Sequence, residues 1–273
     1  MTIEELIVYG KKYIHSIEAK MLLSSITGYD TLNLLNHLDE KITQDKVEIY
    51  IKLIEARLNN KPTQYIVGTT NFFGLEFIVN ENVLIPRFET EELVENTLKI
   101  INEQNLTNLK ILDLCCGSGA IGLTLKHKLP NSDVTMSDIS PKALEVANLN
   151  KNKLNLDVKI IESDLFEKIN EKFDVIISNP PYIAINEEID PLVKDNEPHI
   201  ALYGGEKGLD YYDKILKNIS QYLNECFLIA FEIGEKQSLD ITKLAQKYLK
   251  DISITIKKDL SGRDRMLFIT KKF

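Results

Sequence analysis

Lys110-Ile111-Leu112-Asp113-Leu114-Cys115-Cys116-Gly117-Ser118-Gly119-Ala120-Ile121-Gly122 is the stretch that decides the fold. A short apolar run ends in closely spaced glycines, and the residues after them, Ala120 to Lys128, have helical spacing. This is a strand running into a tight turn and then a helix. Glycines at such a junction let the backbone approach a ligand closely and put the helix N-terminus against it.

Outward from this point the same alternation continues. Apolar runs at Ile111 to Leu114, Val134 to Met136, Val158 to Ile161, Phe173 to Ile177, Phe227 to Ile233, Ile252 to Ile256 and Met266 to Ile269 read as strands. Helical stretches lie between them near Ala120 to Lys128, Pro141 to Asn152, Leu209 to Leu223 and Lys236 to Leu249. Strand alternating with helix at this spacing predicts an α/β fold with a doubly wound, mostly parallel, seven-stranded Rossmann-like sheet.

The ends of successive strands carry the chemistry. Asp138 closes the strand after the glycines, about 20 residues on, where a carboxylate accepts the hydroxyl protons of a ribose. The next strand ends at Glu162-Ser163-Asp164-Leu165-Phe166, an acid followed by apolar residues suited to bracket an adenine. This pattern fits both the dinucleotide cofactors and S-adenosylmethionine. Gly117, Gly119 and Gly122 satisfy the dinucleotide spacing, whereas Cys115, Gly117 and Gly119 in a G-x-G-x-G-like loop favour the methyl donor. The fourth strand end decides between them.

There, after Val175-Ile176-Ile177, stands Asn179-Pro180-Pro181-Tyr182. Proline has no N–H and stops a sheet ladder, so a stiff loop begins at the strand's carboxyl end. The tetrapeptide resembles the catalytic signature of methyltransferases that modify a planar sp² amino group, either an exocyclic base amine or a glutamine amide. The lone pair of such a nitrogen is delocalised and its proton is not removed first. Two fixed acceptors, the Asn179 side-chain oxygen and the Pro180 carbonyl, would hold the –NH₂ and aim it at the methyl group. Pro181 stiffens the turn, and the Tyr182 ring is expected to pack on the flat face of the substrate group.

The remaining sequence sets the context. At 273 residues the chain exceeds the usual single-domain size. Residues Thr2 to about Leu58 show helical periodicity, and Asn71 to Asn80 read as a β-hairpin around Gly74. Thr90 is a candidate cap for a helix from about Glu91. A net charge of −8, without a cluster of Lys or Arg, argues against duplex DNA as a partner. Acidic residues at the start, and no apolar run near the ~20 residues of a membrane span, place the expectation on a cytoplasmic protein. Three cysteines, Cys115, Cys116 and Cys226, with no CxxC and four scattered histidines, predict reduced thiols and no metal site.

Several further segments carry a resemblance to one family. They include Glu18-Ala19-Lys20-Met21-Leu22-Leu23, Gln64-Tyr65-Ile66-Val67-Gly68, Phe72-Phe73-Gly74-Leu75-Glu76-Phe77, Val83-Leu84-Ile85-Pro86-Arg87-Phe88-Glu89-Thr90, Glu197-Pro198-His199-Ile200-Ala201-Leu202 and Gly262-Arg263-Asp264-Arg265. With Asn179 to Tyr182 they resemble the peptide chain release factor N(5)-glutamine methyltransferases, in order and over nearly the whole chain.

The resemblance implies a helical substrate-binding domain at 1–62, a β-hairpin linker at 63–85 and a methyltransferase domain at 86–273 that ends in an antiparallel strand. It implies S-adenosylmethionine as donor, S-adenosylhomocysteine as product, and the glutamine of the Gly-Gly-Gln motif of class 1 release factors as acceptor. A monomer without metal or DNA is expected. The site residues it carries over are Cys115, Cys116, Gly117, Ser118, Gly119, Asp138, Asp164, Leu165 and Asn179 toward the donor, and Asn179, Pro180, Pro181 and Tyr182 for catalysis. Cys115 stands where many relatives have glycine, and Phe88 replaces the usual proline. For Arg87 and Glu89, an ion pair and a substrate contact remain alternatives. The sister reaction on a ribosomal-protein glutamine and adenine-amine methylation of DNA remain alternative activities, and a non-enzymatic binding module remains an alternative of another class.

Overall fold

The computed structural model describes residues 1–273, and the chain divides into two compact units, residues 1–70 with 190–196, and residues 71–189 with 197–273. In the first, α1 (Ile3–Gly10), α2 (Ser16–Thr27), α3 (Gln44–Leu58) and α4 (Thr63–Val67) surround a core of Ile3, Leu6, Leu22, Leu23, Leu34, Val47, Tyr50 and Ile54. Thr2 starts α1 with a reciprocal capping box, its side chain bonding the Glu5 N–H while the Glu5 carboxylate accepts from the Thr2 N–H. Tyr50 is fully buried and donates to the Ala19 carbonyl at 3.1 Å. A β-carbon on Gly10 would lie 2.3 Å from that hydroxyl, so α1 can approach α3 only through a glycine.

The second unit opens within the two-stranded sheet of β1 (Thr69–Phe72) and β2 (Leu75–Ile78). Its elements are α5 (Phe88–Glu103), β3 (Lys110–Leu114), α6 (Ala120–Lys128), β4 (Asp133–Asp138), α7 (Pro141–Leu154), β5 (Lys159–Glu162) and β6 (Phe173–Ser178). After α8 (Pro191–Asn196), which belongs to the first unit, come α9 (Asp210–Asn218), β7 (Leu223–Glu232), α10 (Ser238–Tyr248), β8 (Ser253–Lys258) and β9 (Asp264–Lys271). The seven strands lie in the order β5-β4-β3-β6-β7-β9-β8, with β9 antiparallel to both of its neighbours and the other pairs parallel.

The central strands are buried on both faces, and their side chains alternate between two cores. Ile111, Val175, Ile177, Leu228 and Ala230 pack with α5, α6 and α7, while Leu112, Leu114, Ile176, Ile229 and Phe231 pack with α9 and α10. The predicted helix Leu209 to Leu223 is shorter than expected. It gives way to a 3₁₀ turn at Ile219–Tyr222, and β7 starts four residues before Phe227. Asn224 is half-buried and Glu225 and Cys226 are exposed on that early part of the strand, so no apolar run marks it.

Candidate active site

Strand order brings the site together. β3 pairs with β4 on one side and β6 on the other, so the connections leave opposite faces of the sheet and open a crevice at the carboxyl ends. Leu114 is paired with Ser137 and with Ser178, which places the glycine loop beside both Asp138 and Asn179. Hydrogen bonds fasten the three ends: Ser178 Oγ donates to the Leu114 carbonyl at 2.5 Å, Cys116 N–H to Ser137 at 2.9 Å, and Ser163 N–H to Asp138 at 3.0 Å.

The loop turns through the left-handed region at Cys115 (φ 64°), Gly117 (54°) and Gly119 (79°). A β-carbon at Gly119 would crowd Met136 at 3.1 Å, whereas at Gly117 it would meet nothing within 4 Å. Gly117 lines the cleft, and the space beside it is open. Cys115 adopts a left-handed conformation that glycine takes without strain, at a cost of about 1–2 kcal/mol. Burial pushes its thiol and that of Cys116 well up, so neither is a thiolate at neutral pH.

One cleft of about 940 Å³, its solvent-open part included, is lined by Cys115, Cys116, Gly117, Ser118, Asp138, Asp164, Leu165, Asn179 and Pro181. Gly119, Pro180 and Tyr182 are not among the lining residues, whereas Thr90, Ile139 and Tyr211 are. Asp138 accepts Gly117 N–H on Oδ2 and Ser140 N–H on Oδ1, both at 2.9 Å. Each carboxylate oxygen keeps a second lone-pair direction for a ribose hydroxyl. Burial raises the Asp138 pKa above its ordinary value, against the pull of these N–H bonds.

Two carboxylates and no Lys or Arg line this cleft. A pyrophosphate would meet like charge there, while a sulfonium nucleoside would meet attraction. The residues present therefore fit a sulfonium nucleoside such as S-adenosylmethionine.

The Asn179 turn is held from behind. Gln237 Nε2 donates to the Tyr182 carbonyl at 2.8 Å, and Ile183 exchanges backbone bonds with Leu202 and Gly204. A β-carbon on Gly204 would come within 2.3 Å of the Pro181 carbonyl, and one on Gly208 within 1.9 Å of that of Tyr182, so two glycines let the loops touch backbone to backbone. The Pro180 carbonyl accepts no hydrogen bond from the chain. Tyr182 turns its hydroxyl to Glu232 Oε1 at 3.2 Å, and its ring packs on the α9–α10 core. That contrasts with the expected stacking on substrate. Burial, with Glu232 beside it, pushes the phenol's pKa up and keeps it a donor.

Thr90 is not a helix cap. α5 starts earlier, at Phe88, because Arg87 takes the extended capping conformation, and Thr90 Oγ1 instead donates to buried Glu232 at 2.5 Å and accepts from Asn179 Nδ2 at 3.3 Å. Arg87 pairs with Glu197, which also accepts Ile85 N–H at 3.1 Å, so the ion-pair alternative is the one realised, with a partner 110 residues away. Glu232 and Gln237 went unnoticed in the sequence, and Thr90 and Arg265 were not read as site residues, because the four meet only through the sheet.

Residues 91–195 match the family model "Methyltransferase small domain", and residues 14–68 match "PrmC N-terminal domain". The release factor glutamine methyltransferase of Clostridium botulinum is 41% identical over 93% of this chain and 91% of its own. The chain belongs to the release factor glutamine methyltransferases. The Bacillus subtilis member is 36% identical over 91% of this chain and 89% of its own. Among solved structures, a methyltransferase from Pyrococcus furiosus superposes with a TM-score of 0.55 at 21% identity, over 80% of this chain and 97% of that one, a likeness of fold. This methyltransferase has no helix long and apolar enough to cross a membrane, and no group of His, Cys, Asp and Glu arranged to hold a metal ion.

Proposed function

We propose that this enzyme transfers a methyl group from S-adenosylmethionine to the side-chain amide nitrogen of the Gly-Gly-Gln glutamine in class 1 peptide chain release factors. The observation that carries the proposal is the single cleft in which the Asp138 and Asp164 strand ends meet Asn179. Family membership with the Clostridium botulinum and Bacillus subtilis release factor enzymes supports the choice of acceptor. The match of residues 14–68 to the PrmC N-terminal domain supports assigning the first unit, 1–62 together with α4 at Thr63–Val67, to recognition of the protein substrate, so the expected linker 63–85 is narrowed to the β1–β2 hairpin and the residues after it.

When bound, the donor supplies an electrophilic methyl carbon. Asp138 holds its ribose, Asp164 and Leu165 flank its base, and the glycine loop gives its tail room. Asn179 Oδ1 and the Pro180 carbonyl accept the two N–H bonds of the glutamine amide. As nitrogen loses electron density these acceptors stabilise the growing positive charge, and no general base acts before methyl transfer. Pro181 and Gln237 keep the turn from yielding, so the acceptors are preorganised.

Purified enzyme, tritiated donor and a release factor should give labelling that vanishes when the target glutamine is replaced by alanine. Persistent labelling refutes the assignment, and parallel arms with duplex DNA and ribosomal protein test the two other acceptors. Asn179→Ala should cut turnover by about 100-fold or more while leaving donor affinity within a few-fold.

A further inference from the structure

The Asn179 amide has two ends of similar shape, and only the oxygen accepts hydrogen bonds. Which end meets a substrate N–H is decided by what holds the other end. Glu232, the last residue of β7, is 1% exposed. Its Oε2 accepts the Thr90 hydroxyl proton at 2.5 Å and its Oε1 accepts that of Tyr182 at 3.2 Å. Arg265 Nη1 lies 3.5 Å from the Tyr182 hydroxyl, and its charge, shared with Asp259, works against the burial that raises the Glu232 pKa.

Both Thr90 and Tyr182 donate to Glu232, so the single Thr90 proton is committed to that carboxyl. Toward Asn179, Thr90 is left as an acceptor, and Asn179 must turn Nδ2 to it. Oδ1 has no partner in the chain and remains for the cleft that Thr90 and Asn179 both line.

Resting on the functional reading above, we propose that Thr90 and Glu232 are positioning residues, a relay of two hydrogen bonds that holds the Asn179 amide in the one orientation able to accept a substrate N–H. A flipped amide would set –NH₂ against –NH₂, donor against donor. The relay predicts the behaviour of Thr90, whose hydroxyl is taken up by Glu232 and Asn179, and of Glu232, which does not line the cleft.

Thr90→Val removes both bonds at nearly constant volume. It should lower kcat by about 100-fold with KM for the release factor and donor affinity within about 2-fold. Thr90→Ser should restore most of the rate. Glu232→Gln can donate to Thr90, releasing the hydroxyl proton toward Asn179 and favouring the flipped amide, so it should lose kcat in the same way. In an Asn179→Ala background, Thr90→Val should cost no more than about 2-fold further, since the group it orients is gone. An additive loss in that cycle, or full activity of Thr90→Val, overturns the relay.

A substrate-free reading separates this from the functional assignment. In protein with ¹⁵N-labelled asparagine, the Asn179 side-chain N–H₂ should exchange slowly with solvent in the parent and at least 10-fold faster in Thr90→Val. Equal exchange in both overturns the relay whatever the acceptor is. A parent that shows slow exchange yet leaves release factor unmethylated overturns the functional assignment alone.

Discussion

Replacing Asp113 by asparagine should remove a pH dependence from the stability of this protein. Asp113 lies under the glycine loop at 0% exposure, its Oδ2 accepting Gly122 N–H at 2.8 Å and its Oδ1 without a partner. Burial raises its pKa to about 7, against the Gly122 bond and with some help from the Asp138 charge. In the unfolded chain an aspartate titrates near ~3.9. Between those two values the folded protein holds a proton that the unfolded chain has released. Its contribution to stability is therefore complete below about pH 4, declines as pH rises, and is gone above about pH 7. Roughly three pH units at ~1.4 kcal/mol each set the full swing at about 4 kcal/mol, an upper bound.

Asparagine keeps a carbonyl for Gly122 and carries no charge, so Asp113→Asn lacks this swing. Its new amide protons meet the same lack of partners, at about 1–3 kcal/mol. The slope, not the absolute stability, is therefore the test. Urea unfolding of both proteins at pH 5, 6, 7 and 8 gives it directly. The parent should lose stability relative to the variant across that range, and two parallel pH profiles would refute the reasoning.

Three further outcomes are expected. Gly117→Ala should fold with a loss of only about 1–2 kcal/mol from its positive φ, yet weaken donor binding by about 10-fold or more in calorimetry, because its β-carbon enters ligand space. Gly208→Ala, with φ 69° and a β-carbon 1.9 Å from the Tyr182 carbonyl, should lower the urea midpoint and turnover together, since the Asn179 turn has to move; an unchanged kcat would count against backbone contact as what holds that turn. Donor binding at mildly acid pH should release protons, because a bound cation lowers the burial-raised pKa of Asp138, and affinity should rise with pH through that window; calorimetry in buffers of different ionisation enthalpy checks the sign.

Much of this molecule was legible along the chain. The alternation of apolar runs with helical stretches is a near-neighbour property, and it located all seven strands of the sheet. Turn chemistry is equally local: glycines at 117 and 119 and prolines at 180 and 181 announce backbone that must bend or stop, and the acids closing β4 and β5 mark strand ends by position alone. Where local signals were weak the reading slipped, as at the start of β7 and at Thr90, whose residue type suits a cap but whose hydroxyl is claimed by Glu232. Strand order, and with it the meeting of Leu114, Ser137 and Ser178, belongs to the tertiary structure. So does the convergence of residues 90, 179, 182, 232 and 265 into one buried network. Hydrogen bonds between residues so distant in sequence leave no periodicity to read, and only the packed sheet decides which donor meets which acceptor.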